Sequence, residues 1–247
     1  MIARIARAAV AAALGLLMAA PCPAGDKTPR IGLLTLMLPN PSLKEAFQQG
    51  LHELGYVEGN NIVVEWRNAI SSDEELPVLA AQLVRSNVDL IVTESTSATR
   101  AVLQATKTIP VVFAAAGDPV KTGLVESLAR PGANATGVSI LSTELASKRL
   151  DFLHQLAPSA RRVVYLADLG NPGTRVALGP LQALAKTLGI KLETLDVRNP
   201  QGVDSALRSA AWKSADAVQM GGGIFFLGQG AKIAQDVRAS RRPETFP

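Results

Sequence analysis

From Arg30 onward the apolar positions alternate between two spacings. RIGLLTLM (30–37) is one short, unbroken apolar run. The segment after Pro41 carries Leu43, Ala46, Phe47, Gly50, Leu51 and Leu54, at i, i+3, i+4, i+7, i+8 and i+11. The first pattern reads as buried strand and the second as one helical stripe. NIVVEW (61–66), VDLIVT (88–93), IPVVFAAA (109–116) and ATGVSI (135–140) read as further strands. Helices are expected between them around 73–86, 97–106 and 120–129. Strands alternating with helices at this rhythm predict an α/β fold with parallel sheets covered on both faces.

The pattern then repeats. LGYVEGNNIVVEWRN (54–68) matches LGIKLETLDVRN (188–199), and both close on Arg-Asn. VDLIV (88–92) corresponds to ADAVQ (215–219), and RIGLLTL at Arg30 to RRVVYLAD at Arg161. Several matches in the same order predict two similar Rossmann-like lobes, 29–140 and 141–247, joined near ATGVSILST (135–143). In the first lobe the helix ending near Lys107 leads into IPVVFAAAGDP. In the second, AKIAQDVRAS leads into RRPETFP, and the sequence ends. The second lobe is therefore expected to be incomplete, as in a C-terminally truncated product, lacking a counterpart to 110–140.

Composition narrows the function. Of the 247 residues 47% are hydrophobic and 19% charged, enough for substantial cores and unlike a disordered chain. Residues 1–24 place Arg4 and Arg7 before an Ala/Leu/Val run and a small-residue zone, the layout of a secretory signal peptide. Without that segment the formal charge falls from +4 to +2 through loss of the two arginines. With aromatics at 4% and no basic run, nucleic-acid binding is not expected. Cys22, the one cysteine, follows Pro21, a poor context for lipid attachment, so a periplasmic or secreted protein without a membrane span is expected.

No catalytic or cofactor pattern survives inspection. MGGGIFFLGQG has Phe226 where a dinucleotide fingerprint needs glycine or alanine, and no Walker, nucleophile-elbow or metal-ligand spacing occurs. His52 reads as a solvated helix residue and His154 as partly buried. No catalytic residue, metal or cofactor is assigned, although an enzyme in the cleft stays open as a rival.

The remaining candidates are loops at the carboxyl ends of strands, where open parallel sheets hold ligands. In TESTSATRA (93–101), Thr93, Ser95, Thr96 and Ser97 lead into a helix. Free N–H groups there favour an anion such as a carboxylate; simple capping by Ser97 or Thr96 is the alternative. Asp118-Pro119 reads as a cap pair like Asn40-Pro41, Asn171-Pro172 and Asn199-Pro200, yet only Asp118 carries a charge.

Asp118-Pro119-Val120, Gly123-Leu124-Val125, Ser127–Asn134, Thr136-Gly137, Glu144-Leu145 and Lys148-Arg149, with LHELGYVEGNNIVVEWR and LPVLAAQLVRSNVDLIV, resemble the TrpX-type substrate-binding proteins of ABC importers. The resemblance spans about residues 30–215. It implies a type I periplasmic-binding fold closing on a small solute, in some members an aromatic amino acid. It also implies an ABC permease and its ATPase subunit as partners. By resemblance Ser95–Ser97 would hold a ligand carboxylate, Asp118 an ammonium, and the Asn171–Thr174 loop would contact from the second lobe. Ala133 stands where the family has a second glycine, and the first loop, TLMLPNPS, is short. A sensor module of the same fold, or a non-functional fragment, is the alternative.

Overall fold

The computed structural model describes residues 27–36, 41–70, 72–140, 142–239 and 242–245. The expected signal peptide, Cys22 and Asn40 lie outside the described residues. The first lobe runs β1 (Arg30–Leu36), α1 (Pro41–Glu53), β2 (Val63–Ala69), a 3₁₀ turn (Asp73–Glu75), α2 (Leu76–Arg85), β3 (Leu90–Thr93), α3 (Thr96–Ala105), β4 (Val111–Gly117) and β5 (Ala135–Ile140). The second runs α4 (Ser142–Leu156), β6 (Arg162–Ala167), α5 (Pro172–Thr187), β7 (Lys191–Asp196), α6 (Pro200–Arg208), α7 (Ala210–Ser214), β8 (Ala217–Met220), α8 (Ile224–Ala239) and β9 (Glu244–Thr245).

All strand pairs in the two sheets are parallel, in the orders β2-β1-β3-β4-β5 and β7-β6-β8-β9. Strands matched by the internal repeat therefore occupy matching places, with β1 and β6 each between their second and third strands. The second sheet has four strands among the described residues against five in the first, and its last contains two residues. That agrees with an incomplete second lobe.

Period-two burial explains the layering. On β6, Val163, Tyr165 and Ala167 pack with Leu150, Leu153 and Leu181 from α4 and α5, while Val164 and Leu166 pack with Met220, Phe226 and Ile233 on the other face. Side chains that alternate between faces, each face covered by helix, are what the unbroken apolar runs encode. Leu34, Leu83, Ile91, Val102 and Phe113 build the corresponding core of the first lobe.

The repeat extends to a pair of acids that the sequence comparison passed over. Asp89, just before β3, accepts from the Arg30 N–H at 2.9 Å. Asp216, just before β8, accepts from the Arg161 and Arg162 N–H groups at 2.9 and 2.8 Å. Each pins the amino end of its lobe's first strand to its third. Hydrogen bonds hold both carboxyls below their usual pKa, from Lys27 and the Arg30 N–H on Asp89 and from two backbone N–H groups on Asp216.

Three expectations need correction. Residues 120–129 form no helix. Bonds from Thr122 N to Asp118 O and from Leu124 and Val125 N to Pro119 O close a single turn, and Gly123 at φ 73° takes the chain out of it. α1 ends at Glu53, so Leu54 falls outside the helical stripe and is 76% exposed. The expected helix 73–86 divides into a 3₁₀ turn and α2, with Pro77 in the first turn of α2. The alanine at 133 carries no backbone penalty, because among the described residues Asn87 and Asp118 are the non-glycine positions with positive φ.

Candidate ligand-binding cleft

The cleft is built from two helix starts. Ser95, extended at φ −142°, caps α3 by accepting from the Ala98 N–H at 3.1 Å. The cap is thus Ser95, one residue before the expected Thr96 and two before Ser97, because the helix begins at Thr96. Thr96 Oγ1 accepts from the Gly117 N–H at 2.9 Å and so ties α3 to the carboxyl end of β4. Across the cleft Asn171 caps α5 through the Gly173 N–H at 2.8 Å, with Pro172 in the first turn.

Ser95, Thr96, Asn171, Gly173 and Thr174 line one cavity of about 120 Å³, with Gly117, Gly222 and Gly223 supplying bare backbone and Tyr165, Ile140 and Ala177 apolar surface. Both lobes contribute. Asn171 already takes the Gly173 N–H and Ser95 that of Ala98, so it is chiefly the aligned dipoles of the two helix starts that create a positive potential for a carboxylate. At Gly173 and Gly117 the lobes meet where neither has a side chain: a Cβ on Gly173 would lie 3.4 Å from the Gly117 carbonyl oxygen.

The other candidates lie elsewhere. Thr93 is fully buried, and its hydroxyl is 2.8 Å from that of Thr99, which is held in turn by the Ser95 carbonyl at 2.7 Å. It braces α3 from beneath. Ser97 sits one position round the helix and faces a separate groove. Asp118 follows the cleft residue Gly117 but is outside the lining. Its left-handed φ of 46° departs from the extended geometry of an N-cap. Its carboxylate accepts from the Lys121 N–H at 3.1 Å and pairs with Lys121 Nζ at 2.8 Å, so it closes a turn with a cation already on it.

Sequence reasoning missed Tyr165, Ile140 and Ala177, which look like ordinary core in an apolar run. Tyr165 is 1% exposed, and burial pushes its phenol up to about 12. Two strand-end acids also went unnoticed. Glu94 turns back to accept from the Leu36 N–H at 2.7 Å, and burial raises its carboxyl to about 7 against that bond. Asp168 is raised to about 6 by burial first and by Asp73 of the other lobe second; the Gly170 and Asn171 N–H groups and Arg198 oppose the shift. A polar residue immediately after each apolar run was the available signal.

Both shifts have the same sign. The folded protein holds protons that the unfolded chain releases, so stability falls as pH rises from the ordinary values of 4.5 and 3.8 through about 7 and about 6. Asp89 and Asp216 act oppositely, and only below 3.8. Glu94→Gln keeps an acceptor for Leu36 N and is expected to flatten the decline between about pH 5 and about pH 8. Urea melts at both pH values measure this, and an unchanged slope would exclude Glu94 as its source.

The match to known proteins follows this architecture. The family model described as ABC transporter substrate binding protein matches residues 35–222. The chain belongs to that family. A tyrosine-binding protein of Clostridioides difficile (strain R20291) is 30% identical over 191 residues, covering 76% of this chain and 54% of that protein. The chain therefore spans about half the length of this curated relative. Among solved structures, the ABC domain in complex with L-Trp from Streptococcus pneumonia is 25% identical with a TM-score of 0.74, covering 88% of this chain and 73% of that one. A conserved domain protein from Vibrio cholerae O1 biovar El Tor is 26% identical with a TM-score of 0.76 at the same coverage. The fold is that of the type I periplasmic-binding proteins, with the repeat-related sheets of the two lobes facing the cleft. Among the described residues no helix is long and apolar enough to cross a membrane.

Proposed function

We propose that this protein is the extracytoplasmic solute-binding component of an ABC importer, and that its solute is a small amino acid-like carboxylate taken between the lobes. The convergence of the α3 and α5 N-termini on one cavity carries this reading. The bound carboxylate would receive N–H groups from both lobes at once, so it favours the closed arrangement by its differential contacts. A permease and its ATPase subunit would then read that closed form. The names of the tyrosine-binding relative and of the L-Trp complex support an amino acid as the solute.

Asp118 enters as the proposed ammonium clamp. Lys121 Nζ now occupies its carboxylate with the same chemistry that an amino acid would present, and the pair is exposed on the lysine side. Exchange of Lys121 for the ligand's ammonium would free the lysine into solvent. The test is a thermal melt of the purified chain with a panel of L-amino acids and the matching acids lacking the amine. A solute at a hundred times its dissociation constant should add about 2.7 kcal/mol. Asp118→Asn should shrink the shift for the amino acid and leave that for the deaminated acid. Equal shifts in both proteins would remove the clamp, and no shift with any of the panel would remove the amino-acid reading.

A further inference from the structure

Outside the cleft a second groove crosses between the lobes. From the first lobe α3 presents Ser97, Arg100 and Gln104, at i, i+3 and i+7, and the 3₁₀ turn adds Asp73; from the second, α5 presents Arg175. The groove has a volume of about 160 Å³. Arg100 donates one Nη2 bond to the Thr122 carbonyl and Arg175 one to the Gly170 carbonyl, both at 2.9 Å. A guanidinium has five N–H donors, so these bonds orient the two groups without exhausting them. Ser97 is 8% exposed, and its hydroxyl has no hydrogen-bond partner among the described residues. A buried hydroxyl of this kind is costly unless something else completes it.

We propose that this groove is a second binding site, for a small oxyanion held between Arg100 and Arg175 and completed by the Ser97 hydroxyl. Arginine pairs match oxyanions through paired N–H donors, and a bound phosphate or carboxylate would satisfy Ser97. Asp73 is the opposing charge in the groove, which leaves a balance of one positive charge and sets the site for a singly or doubly charged anion. Because the two arginines belong to different lobes, the anion would also tie the lobes together. Linkage then requires anion and cleft solute to strengthen each other equally.

The experiment is calorimetric titration of the full chain at low ionic strength with inorganic phosphate, and separately with acetate. One-to-one binding is expected; the tighter of the two identifies phosphate or carboxylate as the natural chemistry. Arg175→Gln, on an exposed side chain, should weaken binding about ten-fold or more. Ser97→Ala should weaken it by several-fold, and Asp73→Asn should strengthen it about three-fold by removing the like charge. No binding of either anion would overturn the site. So would binding indifferent to Arg175→Gln, which places the anion in the cleft instead, or a weaker anion affinity in Asp73→Asn.

Discussion

Gly137→Ala is expected to cost about 3 kcal/mol or more, from an unfavourable backbone conformation together with overpacking. Gly137 lies in β5 at φ 155°, and a Cβ there would lie 2.0 Å from the Phe113 carbonyl oxygen and 2.6 Å from its ring. Neither neighbour can yield easily. Phe113 is 2% exposed in the core, and its strand, β4, already shifts register against β5 between Phe113 and Ala116. For a chain of this size each kcal/mol moves the midpoint by about 2–4 °C, so a fall of about 6–12 °C is expected. Gly50→Ala is the control: its Cβ would meet nothing within 4 Å on α1, and alanine should stabilise the helix by about 0.5–1 kcal/mol. A melt in which the two variants behave alike would contradict the steric account. The loss should be one of stability, since Gly137 does not line the cleft.

Gly173→Val is the complementary case, with a large loss of affinity and little loss of stability. The residue stands in the first turn of α5 against Gly117 of the other lobe, where two backbones meet without side chains. A Cβ alone would lie 3.3 Å from the capping Asn171 Oδ1 and 3.4 Å from the Gly117 carbonyl, already a tight fit, and the valine methyls reach further into the space the lobes share. Overpacking of about 1–3 kcal/mol confined to the closed form translates into about a ten- to hundred-fold weaker apparent affinity. Titration with the solute found by thermal shift measures it. The melting temperature without solute should stay close to that of the parent. Undiminished affinity would mean that approach of Gly173 to Gly117 is not required for binding.

The fold was legible because its signals are periodic and repeated. Apolar runs gave the strands, and the correspondence of 54–68 with 188–199 gave matching strand orders in the two sheets. The misread segment, 120–129, shows where periodicity misleads. Val120, Leu124 and Val125 have helical spacing, yet Leu124 and Val125 bury themselves from a compact turn whose path is set by Asp118 and Gly123 in left-handed conformations. Local spacing cannot distinguish one turn from three. Ser95, Thr96, Asn171 and Thr174 line one cavity because the strand-to-helix junctions of both lobes meet there, although Ser95 and Asn171 also serve as the caps of their helices. Thr93 and Ser97 share their chemistry but differ in direction, and a 100° step around a helix is invisible until its start is fixed. Tyr165 was unreadable for the opposite reason: a strand residue that lines a cleft and one that fills a core obey the same alternation.

The pins at Asp89 and Asp216 have a consequence for how such proteins diversify. Both grip the amino ends of the sheets, while the candidate cleft lies at their carboxyl ends. Each half is thus a module with a fixed edge and a variable edge, and duplication of the module yields two variable edges facing one another. Substitutions that alter what is captured would fall on one side, with the architectural contacts kept on the other. A lineage built this way can change its diet through loop substitutions while inheriting its scaffold unaltered.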